Sequence, residues 1–240
     1  LTRTWQDYFE RDKGVKTLAL TTQEPERMMD LLPLCKALVP NKADSVKNIQ
    51  AMIMGIPNVG KSTLINQLAG RQIAKTGNEP AVTKMQQRIK LGHGIVLLDT
   101  PGVLWPKLEN QHGGYRLAVT GAIKETAISN DDIALYAVAY LRDAYPELLQ
   151  DRYQLTELPD DDVTLLETIG AKRGCLRAGG RVDLERAAKI LLTELRAGTL
   201  GRITLETPTM MEAEIIEMIK LRELAAAKKA AKQKKKSPQR

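Results

Sequence analysis

The sequence predicts an α/β domain followed by a helical domain. Up to Pro106, short apolar segments of strand length alternate with helical patterns, and a glycine-rich motif typical of phosphate-binding loops separates one strand from one helix. After Pro106, apolar residues recur at helical spacing with few strand signals. We therefore expect an α/β domain over residues 1–125, a helical domain over 126–210 and a helical basic tail over 211–240.

The composition is that of a folded protein whose positive charge lies at one end. Hydrophobic residues make up 43% and charged residues 27% of the 240 residues, which excludes wholesale disorder. The net charge is +7, and residues 221–240 hold six Lys, two Arg and one Glu. The rest of the chain is therefore neutral overall, so the sequence describes a neutral body with a cationic tail.

The residue types that the chain uses sparingly exclude several classes of protein. Its two cysteines cannot build a disulfide framework or a cysteine metal cluster, and they fit a reducing cytoplasm. No apolar run approaches 18 residues, so we expect no membrane span. One Phe, two Trp and six Tyr argue against an aromatic platform for stacking bases.

The first elements of the α/β half are a helix and a candidate strand. Residues 4–13 have one aromatic face and predict a short helix. Lys16–Leu20 predicts a strand, which the polar turn Thr21-Thr22-Gln23 follows. Residues 24–38 are apolar at helical spacing and predict one helix with a kink at Pro33.

The next elements surround the glycine-rich motif. Gln50–Met54 predicts a strand and Lys61–Leu68 a helix. Gln86–Leu91 and Ile95–Leu98 predict a hairpin that turns at Gly92-His93-Gly94. In the second half, helical spacing covers residues 115–123, 130–150, 161–170, 183–196 and 211–233.

Residues 55–63 (GIPNVGKST) fit the pattern G-x-x-x-x-G-K-[ST] of a phosphate-binding loop. The glycines allow backbone N–H groups to converge on an anion, and the following helix directs its positive end at the same point. Lys61 would reach the terminal phosphates, and the Ser62 hydroxyl would ligate Mg²⁺. The alternative is an ordinary glycine-rich turn between a strand and a helix.

A second phosphate-sensing motif follows the next strand. Asp99 ends an apolar strand and begins the pattern D-x-x-G, in which Asp99 would ligate Mg²⁺ and the Gly102 N–H would contact a γ-phosphate. Thr83, in the loop between the two motifs, would complete the Mg²⁺ shell. Val103 stands where a water-orienting Gln often lies, so we expect slow intrinsic hydrolysis that needs another group or a partner.

The base-reading motif [NT]-K-x-D is absent after Gly102, where it usually occurs. The rest of the sheet must then precede the phosphate-binding loop, which makes the domain circularly permuted. Asn41–Asp44 matches this pattern. The ten residues between Asp44 and Gly55, however, cannot hold the helix, strand and second base loop that must intervene. We interpret it as a decoy, place the second base loop at Thr21-Thr22, and expect the true motif upstream of Leu1.

These motifs resemble the circularly permuted GTPases of ribosome assembly, and most closely the YlqF-like family, also called ribosome biogenesis GTPase A. The segments that carry the resemblance are Gly55–Leu68, Asp99–Lys107, Arg116–Lys124, Lys172–Cys175 and Thr204–Met210. The resemblance implies a permuted P-loop GTPase domain, incomplete at its N-terminus, followed by a helical domain that contacts RNA. It implies a cytoplasmic GTP hydrolase that acts as a switch in maturation of the large ribosomal subunit.

The resemblance also implies the ligands and the residues that hold them. GTP would be bound by Thr21, Thr22, Asn58, Val59, Gly60, Lys61, Ser62, Thr63 and Gly102. Mg²⁺ would be held by Ser62, Thr83 and Asp99, and K⁺ by Asn58, so that Lys61 and Asn58 are the expected catalytic residues. The expected partners are the large-subunit precursor and its rRNA, with no membrane and no DNA.

The sequence departs from the family in its missing N-terminal segment, in Pro80-Ala81 where Pro-Gly is usual, and in a short linker around Asn41–Asp44. Strands that belong in the middle of the sheet would lie in the missing segment. A chain extended upstream of Leu1 is therefore expected to be more stable and to prefer GTP over ATP more strongly.

Four cations in the helical half are candidates for contact with RNA. Lys172, Arg173, Arg177 and Arg181 cluster in a glycine-punctuated segment that could approach a phosphate backbone closely. A solvated loop is the alternative for this segment. The tail Lys228–Lys236 could add nonspecific contacts to phosphates, and a solubilising extension is the alternative for it. For the whole chain, two further functions stay open: an RNA-binding module with an inactive nucleotide domain, and another kind of P-loop NTPase.

Overall fold

The structure is a computed structural model of the chain. It describes residues 1–21, 23–43, 48–73, 87–104, 108, 110–123 and 129–236. Its strands are β1 Ile49–Ile53, β2 Gln87–Gly92 and β3 Ile95–Asp99. Its helices are α1 Thr2–Phe9, α2 Pro25–Met28, α3 Leu31–Leu38, α4 Pro40–Ala43, α5 Lys61–Ala69, α6 Gln111–Val119, α7 Asn130–Ala144, α8 Pro146–Tyr153, α9 Asp162–Lys172, α10 Leu184–Arg196 and α11 Pro208–Lys236.

The three strands form one mixed sheet in the order β1-β3-β2. β1 and β3 are parallel, and their pairing sets Ile53 opposite Asp99. β2 and β3 form the predicted antiparallel hairpin, whose turn has His93 and Gly94 in the left-handed region at φ 51° and 76°. The predicted strand and helix around the glycine-rich motif are also confirmed, as β1 and α5.

The predicted strand at Lys16–Leu20 is wrong, because this segment pairs with no strand in the described part of the chain. The N–H and the hydroxyl of Thr17 both donate to the Glu10 carboxylate, at 2.8 and 2.7 Å. This local hydrogen bonding takes a donor that a sheet would need. Leu20 still packs against the buried cluster that contains Ile49.

Two segments that were each predicted as one helix are two helices in the structure, and a proline lies in the first turn of the second helix of each pair. Residues 24–38 form α2 and α3, and the break at Met29-Asp30 precedes Pro33, which lies in the first turn of α3. A proline there loses no helical hydrogen bond, because the first turn has no partner for its N–H. Residues 130–150 are likewise divided into α7 and α8, with Pro146 as the first residue of α8.

The buried residues form one large cluster in the helical half and two small ones around the sheet. All five helices from α6 through α10 contribute to the large cluster. Leu141, Leu165 and Leu191 are among its fully buried side chains. α6 contributes Ala118 and Val119 to this cluster. The helical character predicted for the second half is therefore confirmed. In the part of the chain that the structure describes, no helix has the length and hydropathy to cross a bilayer.

A buried ion pair attaches the long helix α11 to α6. Arg116, only 7% exposed, donates to Glu214 through both terminal nitrogens, and also pairs with Glu206 at 3.4 Å. Asn110, which caps α6, donates to the same Glu214 carboxylate at 2.6 Å. Since one carboxylate satisfies both an arginine and the cap of α6, Glu214 determines where α11 begins to leave the body.

Glu214→Gln should lower the free energy of unfolding by about 3 kcal/mol, because it leaves the buried Arg116 with only an exposed partner. The hydrogen bond from Arg116 holds the pKa of Glu214 below its ordinary value. The ionised carboxylate therefore stabilises the fold at neutral pH, and this contribution is lost as the pH falls from about 5 to 3. Urea unfolding at pH 7 and at pH 3 measures both effects.

Glu212→Gln is the matched control for this prediction. Glu212 lies two residues earlier on the same helix, and its pair with Arg11 is open to solvent on both sides, at 3.5 Å. Its substitution should change the stability by less than about 0.5 kcal/mol. Equal effects of the two substitutions would contradict the assignment of Glu214 as the anchor.

Candidate phosphate-binding site

The glycine-rich loop joins the end of β1 to the start of α5. Two of its residues have left-handed backbones, Asn58 at φ 59° and Gly60 at φ 89°. Alternation of this kind turns successive N–H groups to one side, which creates a concave site for an anion. Asn58, Val59 and Gly60 are exposed, whereas Ile65 in α5 is completely buried. The helix is thus held against the sheet while its positive end faces solvent.

Lys61 is held across this loop. Its Nζ donates to the carbonyl oxygens of Gly55 at 3.1 Å and Ile56 at 2.6 Å. Burial lowers the pKa of Lys61 from its ordinary value, and the Asp99 carboxylate opposes that shift. The ammonium group therefore lies between the loop and the strand end that carries Asp99, where it is available to a phosphate oxygen.

Asp99 and Thr100 lie at the same edge of the sheet as the loop. Parallel strands end at the same edge, so the carboxyl end of β3 meets the carboxyl end of β1. Asp99 is 1% exposed, and the Thr100 hydroxyl donates to the carbonyl of Ile53 at 2.6 Å. The two sequence motifs, 37 residues apart when measured from Ser62 to Asp99, thus meet in one place.

Gly102 lies directly against the phosphate-binding loop. A Cβ at this position would come within 2.9 Å of the Cα and N of Pro57, a distance that real contacts essentially never show. The next residue, Val103, donates its N–H to the Gly55 carbonyl at 3.3 Å and has a 62% exposed side chain. Only glycine allows the D-x-x-G segment to pack this closely on the loop.

The residues at this edge fit a magnesium ion bound together with a nucleotide. The Ser62 hydroxyl and the Asp99 carboxylate are hard oxygen donors, the kind that Mg²⁺ prefers. Thr83, the third predicted ligand, lies outside the described residues. Among those residues, no group of three His, Cys, Asp or Glu side chains could hold a metal by itself. The remaining ligands would therefore be phosphate oxygens and water.

Thr21 lies beside a large cleft that the phosphate-binding loop also borders. The cleft has a volume of about 1450 Å³, with Thr21, Ile56 and Val59 on one side and residues of the helical half, among them Arg202, on the other. The Thr21 hydroxyl accepts a hydrogen bond from the Gln23 N–H at 3.3 Å. Thr21 and the loop thus border the same cleft, and the base-contacting role of Thr21 stays a prediction. Thr22 lies outside the described residues.

Asn41, the first residue of the decoy motif, lies in the short helix α4 and is exposed. It does not border the cleft that Thr21 and the loop share. Asp44 lies outside the described residues, so the decoy interpretation stays a prediction.

The four cations predicted to contact RNA differ in their surroundings. Arg173 pairs with Glu194 and lies over the ring of Tyr153, 5.4 Å from its centre. Arg177 pairs with Asp183 at 2.9 Å at the base of a small hairpin. Lys172 and Arg181 are exposed. The structure therefore gives Arg173 a half-buried structural contact, whereas Arg177 is exposed although it is paired, as Lys172 and Arg181 are also exposed.

Sequence reasoning missed Thr100 and Glu214. The role of Thr100 could have been predicted, because a hydroxyl residue directly after Asp99 can bond to the neighbouring strand. The role of Glu214 could not, because no spacing rule relates it to Arg116, 98 residues earlier.

Comparison with known proteins identifies similar chains. Residues 50–177 match the family model described as 50S ribosome-binding GTPase. The protein of Bacillus cereus named Ribosome biogenesis GTPase A is 45% identical over 231 residues, which cover 93% of this chain and 78% of that protein. The protein of the same name from Thermotoga maritima is 28% identical over 207 residues, covering 86% of this chain and 71% of that protein.

Solved structures agree with these similarities. A GDP-bound YlqF has a TM-score of 0.59 and 26% identity, and the match covers 87% of this chain and 77% of that one. A GNP-bound YlqF from T. maritima has a TM-score of 0.56 and 26% identity, covering 86% of this chain and 75% of that one.

Gly102→Ala should weaken binding of a fluorescent GTP analogue at least tenfold, because the added methyl group would push the D-x-x-G segment away from Pro57. The loss should be smaller for the matching GDP analogue, which lacks the phosphate that Gly102 is expected to sense. Gly113→Ala is the control, since a Cβ there meets nothing closer than 3.7 Å. Wild-type affinity for the triphosphate in Gly102→Ala would refute the proposed contact.

Proposed function

This chain belongs to the ribosome biogenesis GTPase A (YlqF-like) family of GTP hydrolases, and on that premise we propose that it acts as a GTP-dependent switch on the precursor of the large ribosomal subunit. The observation that carries this proposal is the packing of Gly102 on the phosphate-binding loop. A group that senses the third phosphate has to lie beside the loop that holds the first two.

The binding of GTP is assigned to residues on the loop and beside it. Backbone N–H groups of residues 58–63 would surround the phosphates, and Lys61 would exchange the carbonyls of Gly55 and Ile56 for phosphate oxygens. Thr21 would lie beside the guanine base of the nucleotide. Mg²⁺, held through Ser62 and Asp99, would supply positive charge to the phosphate oxygens.

Val103 supports the expectation of slow hydrolysis without a partner. Its side chain is apolar and 62% exposed, so it cannot orient a water molecule for attack on the γ-phosphate. A second group, supplied elsewhere in the chain or by the ribosomal particle, would have to do so. If the particle supplies that group, hydrolysis depends on the particle, which is the behaviour that a switch requires.

The route from nucleotide to particle follows the chain after Gly102. A γ-phosphate oxygen that accepts the Gly102 N–H would hold this segment, and the same segment leads to Asn110, which caps α6. Through Glu214, Asn110 is bonded to α11. The state of the nucleotide would therefore be transmitted to the helical half.

The helical half is proposed to contact rRNA, and the division into 1–125, 126–210 and 211–240 stays part of this proposal. Lys172 and Arg181 are exposed beside a hairpin with two positive-φ glycines, Gly179 and Gly180. A backbone without side chains at this point allows a phosphate chain to come close.

A monovalent ion is a further part of the proposal. Asn58 is exposed on the loop with a left-handed backbone, and its side-chain carbonyl could help to hold K⁺ beside the phosphates. A fixed cation there would stabilise negative charge that develops as the γ-phosphate leaves.

Lys61→Ala should abolish GTP hydrolysis, and with it the GTP-dependent binding to large ribosomal subunits, because the phosphates lose their nearest cation. Hydrolysis is measured as phosphate release, and binding as co-sedimentation with purified large subunits in GDP or a non-hydrolysable GTP analogue. The control is Lys90→Ala, an exposed lysine of β2 that should leave both unchanged.

Two results would contradict the proposal. Unchanged phosphate release by Lys61→Ala would exclude the loop as the catalytic site. Equal co-sedimentation of the wild-type chain in GDP and in the GTP analogue would exclude a switch on the large subunit.

Hydrolysis should be several-fold faster in KCl than in NaCl at equal ionic strength, and Asn58→Ala should remove the difference. Phosphate release in the two salts is the measurement. Equal rates for the wild-type chain would mean that Asn58 holds no K⁺ during catalysis.

A further inference from the structure

We propose that residues 221–236 of α11, here called the arm, bind the phosphate backbone of structured RNA in the large-subunit precursor. This inference rests on the proposed function for its choice of RNA. Its physical basis is independent of the nucleotide site: a helix that leaves the body, carries a high positive charge, and has five of its six lysine positions on one side.

The arm stands away from the body. α11 continues to Lys236, and every residue from 219 to 229 is exposed. The beginning of α11 is attached through Glu214 to Arg116 and Asn110, and through Glu212 to Arg11. At 1.5 Å per residue, the 16 residues of the arm extend roughly 24 Å.

The charge of the arm is concentrated on one side of the helix. The arm has six lysines and one arginine against one glutamate. Lysine positions 228, 229, 232, 235 and 236 follow the spacing i, i+1, i+4, i+7 and i+8, which puts them on one face of an α-helix. The sixth lysine position, 234, lies on the other side together with alanine positions 226, 227, 230 and 231.

This arrangement favours a polyanion as the ligand. Lysines at i and i+4, such as 228 and 232 or 232 and 236, repel each other and weaken an isolated helix. A row of phosphates along the lysine face would remove that repulsion, and the alanines favour the helix without adding a competing contact. Such binding releases counterions and depends steeply on salt.

The arm does not fit a membrane surface. A helix that lies in a lipid interface needs large apolar residues along one face. Residues 225–236 contain only Ala, Lys and Gln. The exposed large apolar residues that precede them, Ile215, Ile216, Ile219, Leu221 and Leu224, are distributed around the helix and not along one stripe.

The test is the salt dependence of RNA binding by the full chain. The arm variant carries Gln at Lys228, Lys229, Lys232 and Lys235. The control variant carries Gln at Arg3, Lys13, Arg71 and Lys90, four exposed cations of the α/β half, so both lose the same charge. Fluorescence anisotropy with a labelled 20-base-pair RNA hairpin measures affinity from 50 to 300 mM KCl, and thermal unfolding confirms that each variant is folded.

The arm variant should bind the hairpin at least tenfold more weakly at 100 mM KCl. Its slope of log affinity against log salt should be smaller by roughly 3, since each of the four lost phosphate contacts contributes about 0.7–0.9. The control variant should stay within about twofold of the wild-type chain. Wild-type affinity in the arm variant, or an equal loss in the control variant, would overturn the proposal.

Two further measurements separate this inference from other binding partners and from the proposed function. Tighter binding of the wild-type chain to phosphatidylserine vesicles, or to duplex DNA of the same sequence, than to the RNA hairpin would overturn an RNA arm. GTP-dependent co-sedimentation with large subunits tests the switch separately. Its absence, with the salt effect on RNA retained, would refute the switch and leave the arm in place.

Discussion

The packing of the D-x-x-G segment on the phosphate-binding loop is the constraint on which the candidate site depends. The parallel pairing of β1 and β3 brings both segments to one edge of the sheet, and the bond from Thr100 to the Ile53 carbonyl holds the two strand ends together. Gly102 then lies so close to Pro57 that no side chain fits between them. The Asp99 carboxylate acts on the pKa of Lys61 within this arrangement, so the site has charge of both signs before any ligand binds.

The start of α6 is tied to α11 by a group of hydrogen bonds around one carboxylate. Asn110 follows the D-x-x-G segment, caps α6 and bonds to Glu214, and Glu214 also neutralises the buried Arg116. One carboxylate therefore connects the cap and the buried arginine of α6 to α11. Because a buried arginine requires its partner, these two helices have little freedom to separate. The proposed arm begins two turns after this anchor, which explains how an exposed helix can have a defined origin.

Much of the α/β half and the candidate site followed from local rules. The loop pattern, the hairpin around His93 and the helix after Lys61 each depend on residues that are close in sequence, and all three are present. The secondary-structure predictions that were wrong also have local causes. Lys16–Leu20 has strand composition, but Glu10 accepts the Thr17 N–H. Pro33 and Pro146 each lie in the first turn of a new helix and do not kink a longer one. Proline lacks an amide hydrogen, and the first turn of a helix does not need one.

The sequence by itself determined which family this chain belongs to, and it predicted which residues bind phosphate, ligate magnesium and sense a γ-phosphate. These properties depend on residue types at short, regular spacings. Only the tertiary structure decided that Arg173 is held by Glu194 while Lys172 stays exposed, and that Glu214 joins Asn110 to Arg116. Such pairings connect residues up to 104 positions apart, and they depend on how helices pack, which no local pattern specifies.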